Sequence, residues 1–294
     1  MRKLIIPPAP DSPGSLGDQA ILLVVRDGDS TLGVQDVTHP FWNKLRYNRR
    51  YSINHLEYSH YDEIHIYPTD TIDGAFGPHC IANLKKITDI FLGKPIYLHS
   101  FSWGPNPITE SINYIKQLNA SFSVRDQYSF DRFTKMFPSK KLILEEDPAF
   151  LLPTQQPRNP VNIPNKSIGV CPTGNSKINY FEIVNLILSK GYNPVVFPHD
   201  LRESTKDVDL ATQLSSQYNC LLLESKDSRE IKFYINQMSM LISGRMHAAI
   251  AALSLNVPVY AFDYNNKMHG VFKTRNKEHF IINHIDDINF NYAK

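Results

Sequence analysis

Cysteine is scarce in this chain: Cys80, Cys171 and Cys220 lie far apart, with no Cys-x-x-Cys pair and no histidine at a metal-ligand spacing. That excludes a disulfide framework and argues against a zinc site, so a reducing compartment and no bound metal are expected. Excess charge is absent too. With 31 Lys and Arg against 29 Asp and Glu, the formal net charge is +2, too small for a broad nucleic-acid surface. Two or three local cations would still suffice for a small anionic ligand. No run approaches the roughly 18 apolar residues of a membrane span. The apolar stretch after Met1-Arg2-Lys3 stops at Pro7-Pro8, so no signal-peptide core fits. The expectation is a soluble cytoplasmic protein, in which the sequons at Asn119 and Asn165 stay unglycosylated. Internal repeats and low-complexity tracts are also lacking.

What is present is a globular composition, 42% apolar and 20% charged, over 294 residues, enough for two domains with separate cores. Short apolar runs alternate with helical patterns, the mark of α/β architecture with parallel sheets. Strands are expected at Lys3–Ile6, Glu63–Tyr67, Pro95–His99, Ala120–Val124 and Lys141–Leu144. Helices should follow Gly17 and cover Ile81–Leu92, Thr109–Leu118 and Asp126–Met136. Five prolines in Asp147–Asn165 mark a connector. A second cycle places strands at Ser167–Cys171, Pro194–Pro198, Cys220–Leu223, Met240–Ser243 and Pro258–Phe262. Its helices fall at Lys177–Lys190, Glu203–Tyr218, Ser228–Met238 and Met246–Leu255, and Ala248–Leu255 is apolar almost all round and should be buried. The expected organisation is two Rossmann-like, doubly wound domains facing a cleft, residues 1–152 and 153–294.

In such sheets ligands bind beyond the carboxyl ends of the strands, near the exposed N–H groups of the following helices. The sequence Ser243-Gly244-Arg245-Met246-His247 answers this rule most fully. Gly244 permits a close turn, and Arg245 and His247 fall in the first turn of an apolar helix, whose amides and partial positive charge favour an anion. A guanidinium fork adds bidentate recognition of phosphate or carboxylate. The segment Gly14-Ser15-Leu16-Gly17-Asp18 follows the first strand. There Asp18 reads equally as a helix N-cap or as a carboxylate able to accept a proton from a substrate hydroxyl. Arg125 follows the Ala120–Val124 strand, either as a second anion ligand across the cleft or as the partner of Asp126 or Asp131. Lesser signals are Pro198-His199-Asp200, Asp263 with Lys267, and the aromatic and basic stretch Leu45–Tyr67, which could stack on sugar rings.

The ordered set Gly17-Asp18, Val124-Arg125-Asp126, Asp147-Pro148-Ala149-Phe150, and Gly244-Arg245-Met246-His247 through Pro258 to Asp263-Tyr264 and Lys267 resembles the polysaccharide pyruvyl transferase family. Its most specific part runs from Ser243 to Gly270. The resemblance implies a fold of the two-domain glycosyltransferase B type, with the acceptor on the N-terminal side and the donor on the C-terminal side. It implies phosphoenolpyruvate as donor and a sugar as acceptor, in a finished polymer or in a lipid-linked intermediate at the inner face of the membrane. The pyruvyl group would join two hydroxyls as a cyclic ketal, with release of phosphate and no cofactor. Arg245 and His247 match the family's donor-binding pair, Arg125 its midchain arginine, and Asp18 its N-terminal loop aspartate. His247 would act as general acid and Asp18 as base, while Arg245, Arg125, Gly244, Lys267 and Ser15 would hold the donor. The chain departs from the family in having only Asp73-Gly74 within Asp70–Cys80, and in lacking a second glycine before Gly104-Pro105. Two rival readings remain at this level: a nucleotide-sugar-dependent glycosyltransferase, and a non-catalytic protein that binds anionic glycans.

Overall fold

The structure, a computed structural model, describes residues 2–6, 14–28, 58–263 and 267–293. The chain divides into two compact units, one of residues 1–13 and 21–148, the other of residues 14–20 and 149–294. Among the described residues no helix is long and apolar enough to cross a membrane. Most of the Leu45–Tyr67 stretch, through residue 57, lies outside the described residues.

In the first unit, strands β1 (Lys3–Ile6), β2 (Glu63–Ile66), β3 (Ile96–Phe101), β4 (Ser121–Val124) and β5 (Leu142–Leu144) form a parallel sheet in chain order. Strand periodicity sorts the side chains onto two faces. Leu4, Ile6, Ile64, Ile66, Leu98, Phe122 and Val124 share one core. Helices α2 (Pro78–Ile90), α3 (Thr109–Gln117) and α4 (Gln127–Met136) contribute Ile81, Leu84, Ile115 and Phe133 to it. Helix α2 opens with proline at its first positions, where no amide donor is needed. Asp126 caps α4 by accepting from the Ser129 amide at 2.8 Å.

Helix α1 (Leu16–Gly28) begins in the second unit, with Leu16 fully buried in that unit's core. Strands β6 (Ser167–Cys171), β7 (Asn193–Val196), β8 (Leu221–Leu222), β9 (Met240–Ser243), β10 (Val259–Phe262) and β11 (Ile281–Ile282) form a parallel sheet in the order β11-β10-β9-β6-β7-β8. The order reverses between β9 and β6. This is the double winding expected from the sequence, and it creates a switch point at the carboxyl ends of those two strands. Helices α5 (Tyr180–Ser189), α6 (Asp207–Tyr218), α7 (Ser228–Ile235) and α8 (Met246–Ser254) follow β6, β7, β8 and β9 in turn, and α9 (Lys267–Thr274) follows β10. Ala248, Ala249, Ile250 and Ala252 of α8 have no exposed surface, as its all-round apolar sequence requires.

Three elements depart most from the sequence-based outlines. The helix expected over Glu203–Tyr218 is a 3₁₀ turn, Glu203–Thr205, separated from α6 by Lys206 at a left-handed φ of 56°. The break lets Asp207 begin a new helix with its side chain turned inward, fully buried. Strand β11 and helix α9 have no counterpart in the apolar periodicity. In the connector, Lys232 of α7 donates to the carbonyls of Leu152 at 2.6 Å and Phe150 at 3.4 Å, anchoring the chain's entry into the second unit.

Candidate active site

The turn after β9 is closely packed. Ser243 Oγ accepts from the Arg245 amide at 3.0 Å and donates to the Arg245 carbonyl at 2.8 Å. A Cβ on Gly244 would stand 2.1 Å from Tyr180 Oη and 2.7 Å from Thr173 Cγ2, so only glycine fits. Arg245 Nε and Nη2 donate to the two oxygens of Asp207, at 2.7 and 2.6 Å. Its Nη1 lies 3.5 Å from Asp200 Oδ2. Burial pushes the Asp207 carboxyl above its usual range, against the pull of Arg245. Asp207 also accepts from the Gly174 amide at 3.1 Å, which ties the loop after β6 to the turn after β9.

The N-terminal segment completes this cluster. Gly14 to Ala20 belong to the second unit. Leu16 N donates to the His199 carbonyl at 3.2 Å, and Leu201 N donates to the Gly14 carbonyl at 2.8 Å. Ser15 pairs with Asp200 as an isolated antiparallel bridge, and Ser15 Oγ accepts from the Asp18 amide at 3.3 Å. A Cβ on Gly17 would fall 2.2 Å from His247 Nδ1. Loops from opposite ends of the sequence therefore meet at the switch point, bringing Ser15 and Asp18 together with Gly244, Arg245 and His247. Lys267 begins α9 at the neighbouring strand end, and its side chain lies outside the described residues.

Four further residues belong to the cluster. His199 is buried, and burial together with the nearby His247 and Arg245 pushes its pKa down to about 3, so the ring is neutral. Arg202 donates through Nε to Asp200 at 2.8 Å and also pairs with it through Nη2. That contact, and the charge of Asp18 farther off, raise the Arg202 pKa. The arginines 202 and 245 thus already face the carboxylates of Asp18, Asp200 and Asp207. An incoming anion must displace a carboxylate from its partner or arrive with a proton. The sequence marks His199 and Asp200 by their place after β7. Arg202 and Asp207 carry no such mark, because the helical pattern reads through Lys206.

Arg125 belongs to the first unit and is 2% exposed. Its hydrogen-bond partners are not the neighbouring Asp126 or Asp131, although the charge of Asp126 also favours the guanidinium. Nη1 donates to Asp147 at 2.9 Å, Nε to Ser102 at 2.9 Å, and Nη2 to Asp70. Burial opposes the charged form, and Asp70 and Asp147 outweigh it. Asp126 is engaged in capping α4, and Asp131 accepts from Gln127 Nε2 at 2.8 Å. One guanidinium thus ties together the loops after β2, β3, β4 and β5. Nearby, Asp73 accepts from the amides of Gly104 at 3.0 Å and Ala75 at 2.9 Å, so the two segments that depart from the family pattern brace one another.

The sequence model of the polysaccharide pyruvyl transferase family matches residues 20–266. No curated protein matches the sequence. Among solved structures, KP1_0663 from Klebsiella pneumoniae subsp. pneumoniae NTUH-K2044, functionally uncharacterized, is similar at 13% identity, covering 95% of this chain and 90% of its own, with a TM-score of 0.52. Escherichia coli heptosyltransferase WaaC with ADP-2-deoxy-2-fluoro heptose is similar at 12% identity, over 89% of this chain and 88% of its own, with a TM-score of 0.43. Escherichia coli ADP-heptose lps heptosyltransferase II is similar at 14% identity, over 89% and 84%, with a TM-score of 0.39.

Proposed function

Because the chain belongs to the polysaccharide pyruvyl transferase family, we propose that it moves the pyruvyl group of phosphoenolpyruvate onto two hydroxyls of a sugar in a polysaccharide or its precursor, releasing phosphate. The observation that carries this reading is the meeting of the Gly14–Asp18 segment with the Gly244–His247 turn inside one unit. It puts an imidazole, a carboxylate and a guanidinium at one sheet reversal, beside the first turn of α8.

In this reading the donor phosphate sits at the first turn of α8, where the first-turn amides and the helix dipole favour an anion. Gly244 shapes the turn by letting it pack against Tyr180 and Thr173, Ser15 and Lys267 supply further donors, and Arg245 exchanges part of its hold on Asp207 for the donor. The donor's methylene carbon takes a proton from His247 and becomes a methyl group. The adjacent carbon, now electron-poor, bonds the first sugar oxygen, whose proton passes to Asp18. The second sugar oxygen then bonds the same carbon as phosphate leaves, and its proton departs with the phosphate. Histidine suits the acid role because its ordinary titration range lies nearest neutrality, and such proton transfer contributes about 10²–10⁴-fold. Neutral His199 lies close by without adding a charge. Arg125 takes the role of holding the strand ends of the first unit in place. The donor is a cytoplasmic metabolite, so the reading places the reaction in the cytoplasm, at the membrane's inner face when the acceptor is lipid-linked.

The test is phosphate release from phosphoenolpyruvate with a panel of galactose-, mannose- and N-acetylhexosamine-containing acceptors. Thermal shift with phosphoenolpyruvate and with nucleotide sugars runs alongside. Stabilisation by phosphoenolpyruvate and acceptor-dependent phosphate release are expected. Stabilisation by a nucleotide sugar alone would replace this reading with glycosyl transfer.

A further inference from the structure

A second concavity in the same unit differs in chemistry from the Arg245 cluster. A cavity of about 780 Å³ opens at the carboxyl ends of β6, β10 and β11. Its walls are the loop after β6, the end of β10 at Phe262 and Asp263, and the segment after β11. Asn175, on the loop after β6, and Asn283, after β11, line the cavity from separate walls; both are exposed, and the side-chain amide of neither is engaged by another described residue. Each amide offers donors and an acceptor together, the pattern that matches a hydroxyl group, which is itself both. Ile178 and Ile285, half-buried, add apolar surface against which the C–H face of a sugar ring can rest.

Charge selects among ligand classes. Among the described lining residues, Glu182, Asp263 and Asp286 are acidic, with Asp263 held by the His269 imidazole at 2.9 Å, against the ammonium of Lys177 and the imidazole of His284. A nucleotide or other phosphate would enter a field of its own sign, which costs affinity at these distances. A neutral polyhydroxylated molecule meets no such penalty. Among the described residues no group of His, Cys, Asp and Glu is arranged to hold a metal ion.

The cavity also adjoins the Arg245 cluster. Gly174, next to Asn175, donates its amide to Asp207, the carboxylate that holds Arg245. Thr173 and Tyr180, at the two ends of the same loop, close around Gly244. One loop therefore walls the cavity on one side and braces the anion-binding turn on the other.

We infer that this cavity is a subsite for a neutral saccharide, the acceptor's ring or the unit next to it, lying beside the donor turn. As an acceptor site it rests on the pyruvyl-transfer reading, and it places the acceptor in the second unit, where the sequence alone assigns it to the first.

Saturation-transfer NMR on the full chain tests it, with methyl glycosides of galactose, mannose and N-acetylglucosamine as probes. At least one glycoside should receive saturation, Asn283→Trp should abolish the signal by filling the cavity, and Asn175→Ala should weaken binding about tenfold, the loss of one well-made polar contact. ADP should not displace the glycoside. No transfer to any probe, transfer undiminished in both variants, or displacement by ADP would each overturn the inference. Circular dichroism melts confirm that the variants fold, and Asn175→Ala, on an exposed loop, serves if Asn283→Trp does not. Phosphoenolpyruvate thermal shifts on the same samples separate the two ideas. Donor stabilisation without glycoside binding defeats only the subsite, and glycoside binding without donor stabilisation defeats only the pyruvyl-transfer reading.

Discussion

Gly17 and His247 are fitted to each other across most of the chain's length. A Cβ built on Gly17 would stand 2.2 Å from Nδ1 and 2.6 Å from Cγ of the imidazole, so the ring keeps its place only because residue 17 has no side chain. In Gly17→Ala the ring must turn away. Overpacking of this kind costs about 1–3 kcal/mol, and misplacement of a reacting group by an ångström costs about 10²-fold in rate. The expected result is a modest fall in melting temperature with a loss of turnover near a hundredfold, read by phosphate release. Parent-like turnover would show that the fit has no bearing on catalysis.

His247→Gln should keep donor binding while slowing phosphate release about 10²–10⁴-fold, since an amide can hold a hydrogen bond but cannot supply the proton. Calorimetry with phosphoenolpyruvate and a phosphate assay make the comparison. Unchanged turnover would end the acid assignment.

Arg245 and Asp207 form a bidentate pair with Asp207 fully buried. Arg245→Ala leaves that carboxylate without its main counter-charge, and a loss of about 3–5 kcal/mol is expected in denaturant unfolding. The double variant Arg245→Met with Asp207→Leu should recover most of that stability and still fail to bind donor. Donor affinity equal to the parent's in the double variant would remove Arg245 from the site.

Arg125→Met leaves Asp147 and Asp70 facing one another without the guanidinium between them. A destabilisation of about 3–5 kcal/mol is expected, large for a single substitution. Arg125→Lys should recover only part of it, because an ammonium cannot reproduce three directed contacts from one planar group. A melting temperature within a degree or two of the parent's in Arg125→Met would show that the network contributes little.

Lys232 gives a pH signature. Burial lowers its pKa to about 8 from the ordinary 10.5, so the folded chain gives up this proton while the unfolded chain keeps it. Below pH 8 both states are protonated and the contribution is flat. Between about pH 8 and 10.5 the unfolded state binds more protons, so stability rises with pH. The neutral amine has two N–H groups for the two carbonyls it meets. Over this window the parent should gain on the order of 1–3 kcal/mol relative to Lys232→Met, measured as the difference in urea midpoints. Parallel pH dependence in the two proteins would refute the assignment.

Much of this architecture is legible in the sequence because the local signals agree. The turn after β9 shows an apolar run, a glycine and then an apolar helix, and all three fall where expected. Strands β1, β6 and β9 match their outlines to the residue. What escapes is whatever depends on distant pairing. Asp147 and Asp70 lie 22 and 55 residues from the arginine they hold, and nothing near Arg125 favours them over Asp126 or Asp131. Asp207 is concealed because the helical period runs through Lys206, and only backbone geometry shows the break. Strand β11 is two residues long and depends on its neighbour for its existence. The Gly14–Ala20 segment follows a strand of the first unit and gives no local sign that its contacts lie in the second.

That borrowed segment bears on how the molecule is made and how it could be divided. Leu16 leaves the ribosome well before the sheet beginning at Ser167, so its burial site does not exist when it emerges. The second unit therefore closes around a stretch synthesised before the whole of its own sheet. A single cut at Pro148 would not yield two self-sufficient halves, because the later one would leave behind a piece of its own interior and the loop that seats His247.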